Sequence, residues 1–208
     1  MAFHLRELFK KQEKHDYDAH PTKLGKVWHF IAHEESIASF IVDAILILAI
    51  GKFVIIPLIG FLLSTSFPLV AVVSSSMDHN ANFDDWWAQQ SGWYEMHNIS
   101  KEQFKSYPYA NGFNKGDVFV VKGAPIEKLK VGDVIVFTIS GKRDPIIHRI
   151  VAIDIKNKTI QTKGDANPAQ IDFELDIKEE QVKGKAVIRV PLIGWIKVAF
   201  IDLVNILK

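Results

Sequence analysis

The chain has 208 residues, with 25 Lys and Arg against 24 Asp and Glu. A net charge of +1 argues against a dedicated nucleic-acid binder, which carries a basic surplus. There is no cysteine, which excludes disulfides, thiolate metal sites and a cysteine nucleophile. The length suits one compact domain plus an additional segment rather than two large domains.

Residues 1–36 are polar, with six basic positions (Arg6, Lys10, Lys11, Lys14, Lys23, Lys26) balanced by six acidic ones. His4, His15, His20 and His29 also fall here, without the close facial spacing and supporting carboxylates of a metal site. We read a solvated tail with a helical stretch. Residues 37–73 are then dominated by Ile, Leu, Val, Phe and Ala, with Asp43 and Lys52 as the sole charges. About 20 apolar residues cross a bilayer, so residues 37–64 are expected to form a transmembrane anchor. Pro57 and Gly60 are expected to kink it or end it early. The tail in front is too long for the n-region of a secretory signal, so the anchor is read as uncleaved. No Lys or Arg occurs from Phe53 through Ser100. The positive-inside rule therefore places residues 1–36 in the cytoplasm and the remainder outside a cell membrane.

The segment 78–112 is an insert with Phe83, Trp86, Trp87, Trp93 and Tyr94. Its aromatics fit either a small core of its own or contact with a membrane interface. Ser100 is positioned to cap a short helix. From about residue 116 the pattern changes to short runs of β-branched and aromatic residues, 117–123, 133–139, 148–155, 159–164 and 185–190. Gly116-Asp117, Gly132-Asp133, Asn157 and Gly164-Asp165 punctuate them. This predicts a mainly β class with an antiparallel sheet over residues 65–186. Residues 187–208 are again apolar but carry Arg189, Lys197 and Asp202, which fits a membrane-associated helix or a second crossing.

A serine can act as a nucleophile when a base takes its proton and donors receive the oxyanion. Ser74-Ser75-Ser76-Met77 follows the apolar stretch directly. Alone, three serines are a polar loop. His148 lies within the run Ile146–Val151, where a lone histidine is usually structural, although a neutral imidazole there could also serve as a base. Thr162–Asn167 turns sharply at Gly164-Asp165, and Asp172 supplies a second carboxylate.

In this order the blocks resemble signal peptidase I, in its archaeal and endoplasmic-reticulum branch. The carriers are Ser74-Ser75-Ser76-Met77, Gly116-Asp117-Val118-Phe119-Val120, Gly132-Asp133-Val134-Ile135-Val136-Phe137, His148-Arg149-Ile150-Val151 and Lys163-Gly164-Asp165-Ala166-Asn167. Asp85-Trp86-Trp87 and Val190–Trp195 look like the archaeal members. The resemblance spans roughly residues 37–207. It implies Ser76 as nucleophile, His148 as general base, the Ser74 hydroxyl and Ser76 N–H as an oxyanion hole, and Met77 beside the substrate pocket. It implies no cofactor and no metal. The implied partners are secretory preproteins, membrane lipid and the protein-translocation machinery. The implied fold is a signal-peptidase-type β domain behind an N-terminal transmembrane helix, with an apolar C-terminal helix.

Two positions depart from the family. His79 stands where it has proline, and Asp172 follows Asp165 by seven residues where six are expected. We take Asp172 as the carboxylate that orients His148 and Asp165 as a supporting one. The alternatives are a membrane-tethered Ser–Lys peptidase using Lys142, Lys163 or another lysine, a tethered non-catalytic β-domain, or a catalytically dead relative.

Overall fold

The computed structural model describes residues 22–33, 36–80, 82–142 and 144–206. His4, His15 and His20 lie outside the described residues. The chain divides into two compact units, residues 1–56 and 57–208.

In the first unit, α1 (Lys23–His33) precedes the start of a long helix, α2 (Ile37–Leu62). Ser36 caps α2, its hydroxyl accepting from the Ser39 N–H at 3.1 Å. At 26 residues, α2 is long and apolar enough to cross a membrane, and only 6% of its most apolar window is buried within the protein. Pro57 does not end the helix. A π-helical turn at Gly51–Ile55 lies just before it, and the helix runs on to Leu62. A local i→i+5 turn accommodates the missing proline N–H without breaking the helix.

In the second unit, Ser64 takes a left-handed conformation (φ 54°) and the chain leaves the helix. Leu69–Ala71 forms β1, a strand hidden in the apolar composition that follows the anchor. A seven-stranded, wholly antiparallel sheet follows: β2 (Val118–Lys122), β3 (Val134–Phe137), β4 (Ile146–Asp154), β5 (Thr159–Lys163), β6 (Ile177–Lys178) and β7 (Val182–Val190). Its order is β1-β2-β7-β3-β4-β5-β6. The fold class is mainly β, as the patterning of residues 116–190 predicts.

The central strands are buried on both faces. In β3, Val134 and Val136 enter one apolar cluster with Phe113, Phe119 and Ile147. Ile135 and Phe137 enter a second with Ile126, Ile150, Ile160 and Ile177. This two-sided burial explains why residues 133–139 read as a continuous apolar run instead of an alternation. The sheet curls, so that residues of β1 and β4, with three strands between them in the order, line one cleft.

The insert forms α3 (Phe83–Met96) and α4 (Lys101–Lys105), capped by Asn82 and Ser100. Trp86, Trp87, Tyr94 and Phe104 are buried together with Val151 in a third cluster. A bulge in β4 between Ile150 and Ala152 turns Val151 toward them. Those aromatics therefore build a core for the insert. The C-terminal helix α5 (Trp195–Ile206) begins where the Trp195 indole lies over Gly116; a Cβ there would fall 2.3 Å from Nε1.

Phe119 is fully buried, with its ring 4.6 Å from that of Phe113 and 5.1 Å from that of Tyr109. Phe119→Ala should lower the unfolding free energy by about 3–5 kcal/mol in a denaturant titration, the usual cost of emptying such a site.

Candidate active site

The segment after β1 is held by main-chain bonds. Val72 N–H donates to Asp117 O at 2.8 Å and Gly116 N–H to Val72 O at 2.9 Å, which prolongs the β1–β2 pairing. Further on, Ala166 N–H donates to Ser76 O at 2.8 Å and Phe113 N–H to Met77 O at 3.0 Å. Ser76 is thereby fixed between the insert's end and the Gly164–Asn167 turn. Its Oγ lies 2.9 Å from Nε2 of His148, on β4. The Ser74 hydroxyl is 3.1 Å from the same Oγ. Ser74, Ser76 and His148 thus meet, although more than 70 residues of chain separate Ser76 from His148.

The carboxylate on the far side of the imidazole is Glu174. Its Oε1 is 2.5 Å from His148 Nδ1 and the side chain is fully buried. The other oxygen accepts from Ile171 N–H at 3.0 Å, and the Thr162 hydroxyl lies 3.4 Å from Oε1. Nδ1–H donating to Glu174 leaves the Nε2 lone pair for the Ser76 hydroxyl, the tautomer a base requires. Asp172, expected in this position, is exposed two residues earlier. Of the two carboxylates on the 3₁₀ turn Asp172–Glu174, only Glu174 is turned inward.

Asp165, the other expected carboxylate, does not touch His148. It faces Arg149, which follows the base on β4 and projects to the opposite face of the strand. Arg149 is fully buried and all five of its N–H groups are used. Nε and Nη2 donate to Asp165 at 2.9 and 2.7 Å, and the remaining donors reach the carbonyls of Pro108, Gly132 and Tyr109 at 2.7–2.9 Å. His79 Nε2 and the Tyr94 hydroxyl each lie 3.2 Å from the Asp165 carboxylate. Burial alone raises the Asp165 carboxyl, but the Arg149 guanidinium and the His79 hydrogen bond outweigh it and hold the group at about 2. Met77 is also placed differently from expectation. It is buried in the main core, and its sulfur accepts from Asp165 N–H at 3.3 Å.

Lys163 carries a chemical signature of a lysine base, since burial lowers its amine to about 8, against the opposing pull of Asp165 and Glu174. Its Nζ, however, faces the insert. It lies 4.6 Å from the Tyr94 ring centre and 5.2 Å from that of Trp93, and donates to Gln90 Oε1 and to the Gly164 and Asp165 carbonyls. Lys142 lies over the Phe173 ring at 4.0 Å. Gly164 has no room for a side chain, because a Cβ would stand 3.0 Å from both His148 Nε2 and Ser76 O.

Beside Ser76 opens a cleft of about 300 Å³. Ala71 and Val73 form one wall, Ile146 and Ile147 another, with Ser74 and His148 at the reactive end. Lys142, Asp144 and Asn167 also line it, so apolar walls and polar groups meet beside the serine hydroxyl.

Glu174 could not be singled out in the sequence. Asp165, Asp172, Glu174 and Asp176 crowd one stretch, and spacing alone does not say which turns inward.

No family model matches the chain. It is similar to the signal peptidase complex catalytic subunit sec11 of Sclerotinia sclerotiorum, at 34% identity over 96 residues, covering 41% of this chain and 55% of the relative. The corresponding subunit of Lodderomyces elongisporus is 33% identical over 99 residues, 46% and 57% of the two chains. That of Pyricularia oryzae is 32% identical over 96 residues, 41% and 55%. The chain spans about half the length of the curated relatives it matches. These relatives are fungal, so they support the signal peptidase resemblance without favouring its archaeal side.

Asp165 provides a pH signature of this arrangement. Its folded value lies below the ordinary 3.8, so its contribution to stability is complete above about pH 5 and is lost as the pH falls toward about 2. The difference in unfolding free energy between wild type and Asp165→Asn should therefore shrink across that window. A pH-independent difference would contradict the buried ion pair.

Proposed function

We propose that this chain is a membrane-bound serine endopeptidase of the signal peptidase I type, which removes N-terminal signal peptides from secretory preproteins. The observation that carries the proposal is the continuous line from Ser76 Oγ to His148 Nε2 at 2.9 Å and from His148 Nδ1 to Glu174 at 2.5 Å. The similarity to catalytic subunits of signal peptidase complexes supports the substrate class.

His148 takes the proton of Ser76 as Oγ attacks the scissile carbonyl. Glu174 holds the tautomer and stabilises the imidazolium that forms. The oxyanion is received by the Ser74 hydroxyl and the Ser76 N–H, and loss of one such donor typically costs roughly 10²–10³ in rate. Collapse of the tetrahedral intermediate breaks the C–N bond, and His148 returns the proton to the departing amine. Water, activated by the same imidazole, then hydrolyses the acyl ester and restores Ser76.

The substrate lies extended along β1, an end strand of the sheet, with main-chain pairing supplying affinity. The narrow apolar cleft between Ala71, Val73, Ile146 and Ile147 selects small residues one and three positions before the cut. In this proposal α2 anchors the enzyme, residues 1–36 are cytoplasmic and the sheet domain, from residue 65 through the end of β7 at Val190, is extracytoplasmic. The segment after β7, with α5, associates with lipid or crosses it a second time. The protein-translocation machinery and companion subunits are the proposed partners.

Purified full-length protein in detergent should cut a preprotein carrying small residues at those two positions. Ser76→Ala and His148→Ala should each lose at least roughly 10³-fold in kcat/KM while remaining folded. Activity of His148→Ala within tenfold of wild type would move the base to another group. An inert wild type would contradict the proposal.

A further inference from the structure

His79 is buried three residues beyond Ser76, and the reaction as proposed does not use it. Its ring lies flat on the Trp86 indole, with centres 3.8 Å apart and planes 1° from parallel. Gly112 makes room for it; at φ +69°, a Cβ on residue 112 would fall 2.5 Å from His79 Cδ2. Nε2 lies 3.2 Å from the Asp165 carboxylate, and Nδ1 is buried without a hydrogen-bond partner among the described residues. The proton therefore belongs on Nε2, where it is donated to Asp165, because a buried Nδ1–H would be an unsatisfied donor.

We infer that His79 is a positioning residue for the nucleophile, tethering the Ser76 segment to Asp165 and through it to the strand that carries the base. The inference rests on the proposed Ser76–His148 chemistry. Its basis is a closed circuit. From Ser76 the chain runs to His79, whose imidazole bonds to Asp165. Asp165 is clamped by Arg149, which is the covalent neighbour of His148 on β4. His148 Nε2 returns to Ser76 Oγ at 2.9 Å. Nucleophile and base are thus referenced to the same buried ion pair.

The main-chain bonds from Ala166 to Ser76 and from Phe113 to Met77 keep the segment in place without His79. Its loss consequently alters fine alignment more than folding. A displacement of about 1 Å at a reacting atom can cost on the order of 10²-fold in rate. His79 does not line the cleft, so substrate affinity is not at stake.

The experiment compares kcat and KM for preprotein cleavage by full-length wild type, His79→Phe and His79→Gln, with thermal unfolding recorded on the same samples. Phenylalanine keeps a ring on Trp86 but cannot donate to Asp165, whereas glutamine restores a donor. The inference expects kcat of His79→Phe to fall about tenfold or more with KM within about twofold of wild type. It expects His79→Gln to recover to within about threefold. It is overturned if His79→Phe keeps kcat within about twofold, if the loss falls on KM or follows a lost folded fraction, or if the two variants are equally impaired. A wild type that cuts alongside an unimpaired His79→Phe refutes the tether alone. A wild type that does not cut refutes the peptidase reading.

Discussion

A carboxylate buried without solvent is tolerated only when it is paired and its oxygens are hydrogen-bonded, and Asp165 is the point in this protein where that requirement organises everything nearby. Its partner Arg149 spends all five donors within a few ångströms, on Asp165 itself and on the carbonyls of Pro108, Tyr109 and Gly132. Those carbonyls belong to the end of the insert and to the turn before β3. One guanidinium therefore joins the insert, the sheet and the turn after β5. The aromatic cluster of α3 and α4 closes over this pair, with Tyr94 donating to the carboxylate and Trp86 Nε1 reaching the Asp165 carbonyl at 3.3 Å.

The proposed catalytic residues are arranged around that fixed pair on the other face of β4. Alternation along the strand sends Arg149 to the ion pair and His148 to Ser76 and Glu174. The turn carrying Asp165 also bonds to Ser76 O through Ala166 and excludes any side chain at Gly164 beside the base. Two carboxylates consequently have separate duties. Asp165 holds the scaffold, and Glu174, isolated on its 3₁₀ turn, faces the imidazole. Lys163 lies between the two systems, its amine lowered by burial and directed toward Trp93 and Tyr94 instead of toward the serine.

Much of this was legible in the residues themselves. The β-branched runs separated by Gly-Asp turns foretell the antiparallel sheet, and the long apolar stretch foretells α2. Ser76 and His148 stand out only through the ordered blocks that resemble signal peptidase I, since alone a serine run reads as a polar loop and a strand histidine as a structural residue. What stayed hidden depends on tertiary context. β1 shares the apolar composition of the anchor, and only pairing with β2 reveals it as a strand. Helix α3 is rich in aromatics that bury against a bulge in β4, a feature no local pattern announces. Pro57 reads as a helix breaker, yet the π turn before it absorbs the defect. Asp172 and Glu174 differ by two positions, and the inward rotation of a single 3₁₀ turn decides between them.

The account stands on Glu174 as the group that orients the base, so the most direct measurement is kcat for Glu174→Gln beside Asp172→Asn. Glutamine in place of glutamate keeps the volume but removes the charge that fixes the tautomer and supports the imidazolium. A loss of roughly 10²–10⁴ in kcat for Glu174→Gln, with Asp172→Asn within about twofold of wild type, is the predicted result. A Glu174→Gln enzyme that turns over like wild type, or a larger loss in Asp172→Asn, would contradict it.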